Sequence, residues 1–249
     1  IVLPSRLAIA MVAQRDRRRT TTLQAIALHE SVSPDRWCVT NADLKYLRQQ
    51  VICAIQQGLI LSASPTSCDS DDSMRSEDDV EFGPSIYVVN EQYIKPITAE
   101  AGKMSWALMM NPDGLECDIF VSHAWQEGIF EFLSKVLGSW PSAACNAWCC
   151  MLANPQNLNI GSMLQSPKTS PFALALQASR HVLVVPNRHT SVYCRLWCGY
   201  EAYVASEKAK IIQIATPSTA RSMMISFCLA LVPLGLGLLF GLLAAWRKF

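Results

Sequence analysis

Four short apolar runs, at residues 117–122, 147–153, 181–185 and 209–215, alternate with stretches of helical spacing, and this alternation limits the fold more than any other feature. The run CDIFVS at 117–122 has no polar alternation, as expected of a strand covered on both faces in a parallel sheet. Between the first two runs, Ile129, Phe132, Leu133 and Val136 recur at three- and four-residue steps, so 128–137 reads as a helix. A second helix begins at Pro171, a residue suited to a first helical position, and a third covers 192–206. Strands alternating with helices in this way predict a doubly wound α/β domain with a parallel sheet of about four to five strands. The run at 85–90 is β-like and could supply the extra strand, 99–110 is compatible with helix, and Asn111, Pro112, Asp113 and Gly114 form a turn.

Composition matters for the rest of the chain. Hydrophobic residues make up 51% and charged residues 16% of 249 positions, an apolar excess for a soluble domain. Residues 222–246 account for much of it, because they contain no charged side chain. As a helix rising 1.5 Å per residue they would cover roughly 37 Å, enough to cross a ~30 Å hydrocarbon layer. Arg221 stands at one flank and Arg247 and Lys248 at the other, with Trp246 at an interfacial position. The segment is therefore expected to be a transmembrane helix in contact with lipid. It would be a tail anchor, or the first span of a longer multi-span protein to which the domain is an appendage. No secretory signal is recognisable at the start, where the charge of Arg15, Arg17, Arg18 and Arg19 follows the apolar residues, so the bulk of the chain is expected in the cytosol.

The remaining segments divide by charge. Residues 1–61 begin basic and include an expected helix at 42–61, capped by Asn41, with Leu44, Leu47, Val51, Ile55 and Leu59 along one stripe. Residues 62–82 hold seven acids against the single Arg75, among several serines, and read as a disordered acidic linker open to phosphorylation. The α/β domain then spans 83–216. A net charge of +1 is the average of these opposites and gives no electrostatic case for binding nucleic acid. Ten irregularly spaced cysteines do not form the framework of a disulfide-stapled scaffold.

In an open parallel sheet, ligands sit beyond the carboxyl ends of the strands where strand order reverses. The exits are Ser122, His123 and Trp125 after the first strand, Asn154 and Gln156 after the second, and Asn187, Arg188 and His189 after the third. Here the residues begin to resemble a family. DIFVSHAW at 118–125 is similar to the first box of the Toll/interleukin receptor (TIR) fold, and in SVYCRLWCGYE at 191–201 the residues Trp197, Cys198 and Glu201 fall in the Trp-Cys-x-x-Glu pattern of plant-like TIR domains. The resemblance covers 116–215. Tyr193 stands one residue closer to Trp197 than in that pattern, Cys194, Arg195 and Leu196 replace its usual serines, and the family's last helix, strand and helix have no counterpart before the apolar segment.

The resemblance implies a flavodoxin-like sheet and a signalling role, in which the domain self-associates or binds other TIR-like domains. Some members instead hydrolyse NAD, and there the Glu of the motif is catalytic. This implies Glu201 as the carboxylate that stabilises positive charge on the ribose, with NAD as substrate and no resident cofactor. Ser122, His123, Trp125, Arg188 and Trp197 would bind the substrate, the tryptophans by stacking and Arg188 as a planar donor to pyrophosphate. Association is the leading expectation and NAD cleavage the alternative. No metal site is expected: Cys194 and Cys198 lie one helical turn apart with His181 and His189 near in sequence, but they lack the knuckle of structural zinc. Cys145, Cys149 and Cys150 read as core residues with no identifiable base.

Overall fold

The computed structural model describes residues 22–61, 82–186 and 196–216. The chain enters through helix α1 (Thr22–Ser31), strand β1 (Val39–Thr40) and helix α2 (Asn41–Gln56). The cap of α2 is Thr40 and not Asn41: its Oγ1 accepts the Asp43 amide, and the Asp43 carboxylate accepts the Thr40 amide. This reciprocal box satisfies two amides that a helix start leaves without partners. Leu44, Leu47, Val51 and Ala54 are buried, whereas Ile55 lies beside that face and is exposed, and Leu59 is exposed because the helix stops at Gln56 and Ile60 turns inward instead.

Three short helical pieces follow, α3 (Ile86–Val89), a π turn (Asn90–Ile94) and α4 (Lys95–Glu100), and then α5 (Trp106–Met110). The run at 85–90 is thus helical. Ser85 caps it through the Val88 amide, and Ile86 and Val89, three residues apart, both point into the core. The helix expected over 99–110 is broken at Gly102 and Lys103, both at positive φ, and restarts at Ser105, whose hydroxyl accepts the Leu108 amide. The turn at 111–114 is present, with Gly114 at φ +67° donating to the Asn111 carbonyl at 2.9 Å.

The second half alternates as expected. Strand β2 (Ile119–His123) leads to α6 (Ile129–Gly138), β3 (Asn146–Cys149), α7 (Cys150–Ala153), α8 (Pro171–Ala178), β4 (His181–Val185), α9 (Leu196–Glu207) and β5 (Ile211–Ile214). The apolar run at 147–153 is therefore a strand only as far as Cys149 and then a helical turn. Sheet order is β1-β3-β2-β4-β5. Strands β2 to β5 are parallel, with Ile119 opposite both Ala147 and His181, and His123 opposite Val185.

The fifth strand is β1, running antiparallel to β3, so the sheet is mixed and the 85–90 segment does not complete it. Strand β2 is buried along its whole length, and Phe120 stacks on Trp148 of β3 at 5.2 Å. Residues 22–61 share this core: the Trp148 indole donates to the Pro34 carbonyl at 3.0 Å, and Arg48 of α2 lies over the Phe130 ring of α6. Gly128, which opens α6, leaves no room for a side chain, since a Cβ there would stand 2.3 Å from the Phe82 carbonyl oxygen. Among the described residues, no helix is long and apolar enough to cross a membrane. The segments 1–21, 62–81 and 222–246 lie outside them.

Candidate functional site

The parallel strands run in the spatial order second, first, third, fourth, so strand order reverses on either side of β2. Connections leaving β2 and β4 diverge there and open a crevice at the carboxyl ends. A cavity of about 200 Å³ lies beside this crevice, beyond the carboxyl ends of β2 and β3. Its apolar wall includes Val121, Trp125, Trp148 and Phe172, and its polar wall His123, Cys150, Asn154, Gln156 and Glu201.

Helix α9 brings Glu201 to the site. Cys198 and Glu201, three residues apart, lie on one helical face, and both meet the exit of β2. Glu201 is only 5% exposed, and its Oε2 accepts a hydrogen bond from the Ser122 hydroxyl at 2.5 Å. The Cys198 thiol reaches the His123 carbonyl at 3.7 Å. A carboxylate taken out of water needs such donors to remain an acceptor.

His123 is buried beside Phe132, with ring centroids 4.7 Å apart. Its Nδ1 lies 3.4 Å from the Ala124 carbonyl, and its Nε2 lies 3.3 Å from the Cys150 sulfur and 3.6 Å from that of Cys149. Trp125 donates its indole N–H to the Cys150 sulfur at 3.2 Å, and its ring packs on Tyr87. Asn154 is 3% exposed, and its Oδ1 accepts no hydrogen bond from the described residues. Gln156 donates to the carbonyls of Cys150, Met151 and Asn154, which holds the turn after α7 in place.

The structure thus brings Ser122, His123, Trp125 and Glu201 together. Arg188 and the side chain of Trp197 lie outside the described residues, as do Asn187, His189, Tyr193, Cys194 and Arg195. Sequence reasoning named Asn154 and Gln156 as strand exits but missed Cys150, Trp148 and Phe172 as walls. A base for Cys150 was not identifiable either, since His123 stands 27 residues away in the chain. Among the described residues no group of three or more His, Cys, Asp or Glu could hold a metal ion. His181 in particular sits at the opposite end of β4 from the cavity, four residues or about 13 Å from the level of His123.

A second polar cluster lies beyond the ends of β2 and β4. Lys135 of α6 contacts Glu131 at 2.8 Å and Glu127 at 3.5 Å and donates to the Pro186 carbonyl. Burial pushes the Glu127 carboxyl up to about 8 although Lys135 pulls the other way, and its Oε2 accepts no hydrogen bond. No protein-family model, no curated protein and no solved structure matches this chain.

Proposed function

We propose that the chain is a membrane-anchored hydrolase of NAD, built on a divergent TIR-like, flavodoxin-like domain and using Glu201 as its catalytic carboxylate. The observation that carries this reading is a buried carboxylate, bonded to Ser122, on the wall of a cavity beyond the carboxyl ends of β2 and β3. A carboxylate that served only to solubilise a helix would face water. The cavity volume suits one ring system and its sugar, not a whole dinucleotide. The adenylate half would then lie outside it, and the aromatic wall favours a flat heterocycle within.

The reaction asks little acid catalysis of the protein. When the bond between ribose C1′ and the pyridinium nitrogen breaks, its electron pair stays on nitrogen and nicotinamide leaves neutral. Positive charge then spreads over C1′ and the ring oxygen, and an ionised Glu201 stabilises it. Water adds to C1′ and gives up one proton, leaving ADP-ribose. The Ser122 hydroxyl holds the carboxylate in position.

The test is nicotinamide release from NAD by the full chain in lipid vesicles at high protein concentration. Wild type is expected to turn over, and Glu201→Gln to lose about a hundredfold in rate. Equal rates for the two, or no turnover by wild type, would overturn the reading. Association through the domain is a second reading with its own support: β5 is an edge strand with Ile211, Ile212 and Ile214 exposed, and such an edge can pair with another chain. Membrane anchoring by 222–246 rests on the length and apolarity of that segment.

A further inference from the structure

We propose that Cys150 is a nucleophilic thiol activated by His123, and that hydrogen peroxide oxidises it to a sulfenic acid on the cavity wall. The proposal does not depend on the identity of the substrate. It begins with the change of backbone at the end of β3. Strand geometry ends at Cys149 and helical geometry begins at Cys150. Both thiols are buried and both approach the His123 Nε2, but Cys150 is the nearer and the one that lines the cavity.

His123 is held in the tautomer that can act as a base. A carbonyl only accepts, so the contact with Ala124 places the ring proton on Nδ1. Nε2 is then the acceptor, and it faces the Cys150 sulfur. Proton transfer gives a thiolate beside an imidazolium, the arrangement that makes cysteine reactive near neutral pH. The Trp125 N–H donates to the same sulfur and favours the anion. Cys149 does not compete, because burial and the neighbouring Cys150 push its thiol well up. Among the described residues, the titratable groups near the pair include Cys149, Cys198 and Glu201 on α9, and Glu127, whose charge acts on Cys149. An acceptor without a donor, the buried Asn154 Oδ1, belongs to a residue of the same cavity wall and could take a guest hydroxyl.

In the oxidation, the thiolate attacks one oxygen of the peroxide, the S–O bond forms and the O–O bond breaks. The second oxygen leaves with the electron pair, takes the imidazolium proton and departs as water. Sulfur loses two electrons and the peroxide gains them. The added hydroxyl narrows a cavity of about 200 Å³.

Cys145, which is exposed, serves as an internal standard. The full chain is treated with iodoacetamide at about pH 6, and in parallel with peroxide followed by dimedone, and each cysteine is quantified separately from the fragment ions of its peptide by tandem mass spectrometry. Cys150 is expected to alkylate roughly tenfold faster than Cys145 at this pH and to carry the dimedone adduct. His123→Asn should slow Cys150 by about the same factor without changing Cys145. If the wild-type Cys150 reacts no faster than Cys145, the proposal is overturned, and this arm needs no variant that must fold. An unchanged Cys150 rate in a folded His123→Asn chain removes His123 from it. Neither readout involves NAD, so failure here is separate from failure of the hydrolase reading.

Discussion

Two buried polar clusters lie beyond the carboxyl ends of the sheet, and they differ in what completes them. Around Lys135, the cation, Glu131 and the Pro186 carbonyl answer one another within the protein, and Glu127 adds a second, buried carboxyl. Around Glu201, the serine, histidine and cysteine contacts leave one side of the group on a cavity. A closed cluster is a structural element and tends to be costly relative to apolar packing. An open one can exchange its contacts with a guest, so burial of charge alone does not mark a site.

The contrast breaks most visibly at Lys135. Lys135→Met leaves Glu131 partly buried without its cation and should cost about 3 kcal/mol of stability near neutral pH, read by urea unfolding. A loss under 1 kcal/mol would mean that the closed cluster is not what holds α6 there. Glu201→Gln should do the reverse, leaving the unfolding midpoint nearly unchanged while nicotinamide release falls about a hundredfold. Next in size is Glu127. An acid whose folded-state pKa of about 8 stands above an ordinary value of 4.5 keeps its proton in the folded chain after the unfolded chain has lost it. Its contribution is therefore fully present below about pH 4.5 and is lost as pH rises towards 8. Glu127→Gln should be more stable than wild type at pH 6, by about 2 kcal/mol, and equal to it at low pH. A flat difference between the two chains across that interval would contradict the buried titration. The smallest effect belongs to Ser122→Ala, which removes one donor to Glu201 and should cost about 1 kcal/mol in stability and a several-fold drop in turnover.

Much of this arrangement could be read before any coordinates. Strand β2, the helix at Pro171 and β4 follow from continuous apolar runs and a capping serine, which act locally. Ser122, His123 and Trp125 were recognisable because strand exits are where a parallel sheet puts polar groups, and Glu201 only through its place in the Trp-Cys-x-x-Glu resemblance. What escaped depended on partners distant in sequence. The two residues of β1 have no periodicity, and only their pairing with Ala147 and Asn146 makes them a strand. The segment SIYVVN looks β-like by propensity, yet a cap at Ser85 and burial at three-residue spacing make it helical. Cys150 and Phe172 show no signal of a cavity until Trp148 is packed between Phe120 and Phe172.

The antiparallel β1 has one more consequence. Because β1 and α2 belong to the same sheet and core as residues 82–186 and 196–216, the acidic segment departs from and returns to a single body, with the Leu61 amide bonded to the Gln92 side chain at one end. In topological terms it is an insertion within a domain. A protease cut inside it would divide the polypeptide without dividing the fold, and the two fragments should elute together until denaturant separates them. Changing the length of the segment should alter stability only slowly, since the entropy of closing a loop grows with the logarithm of its length.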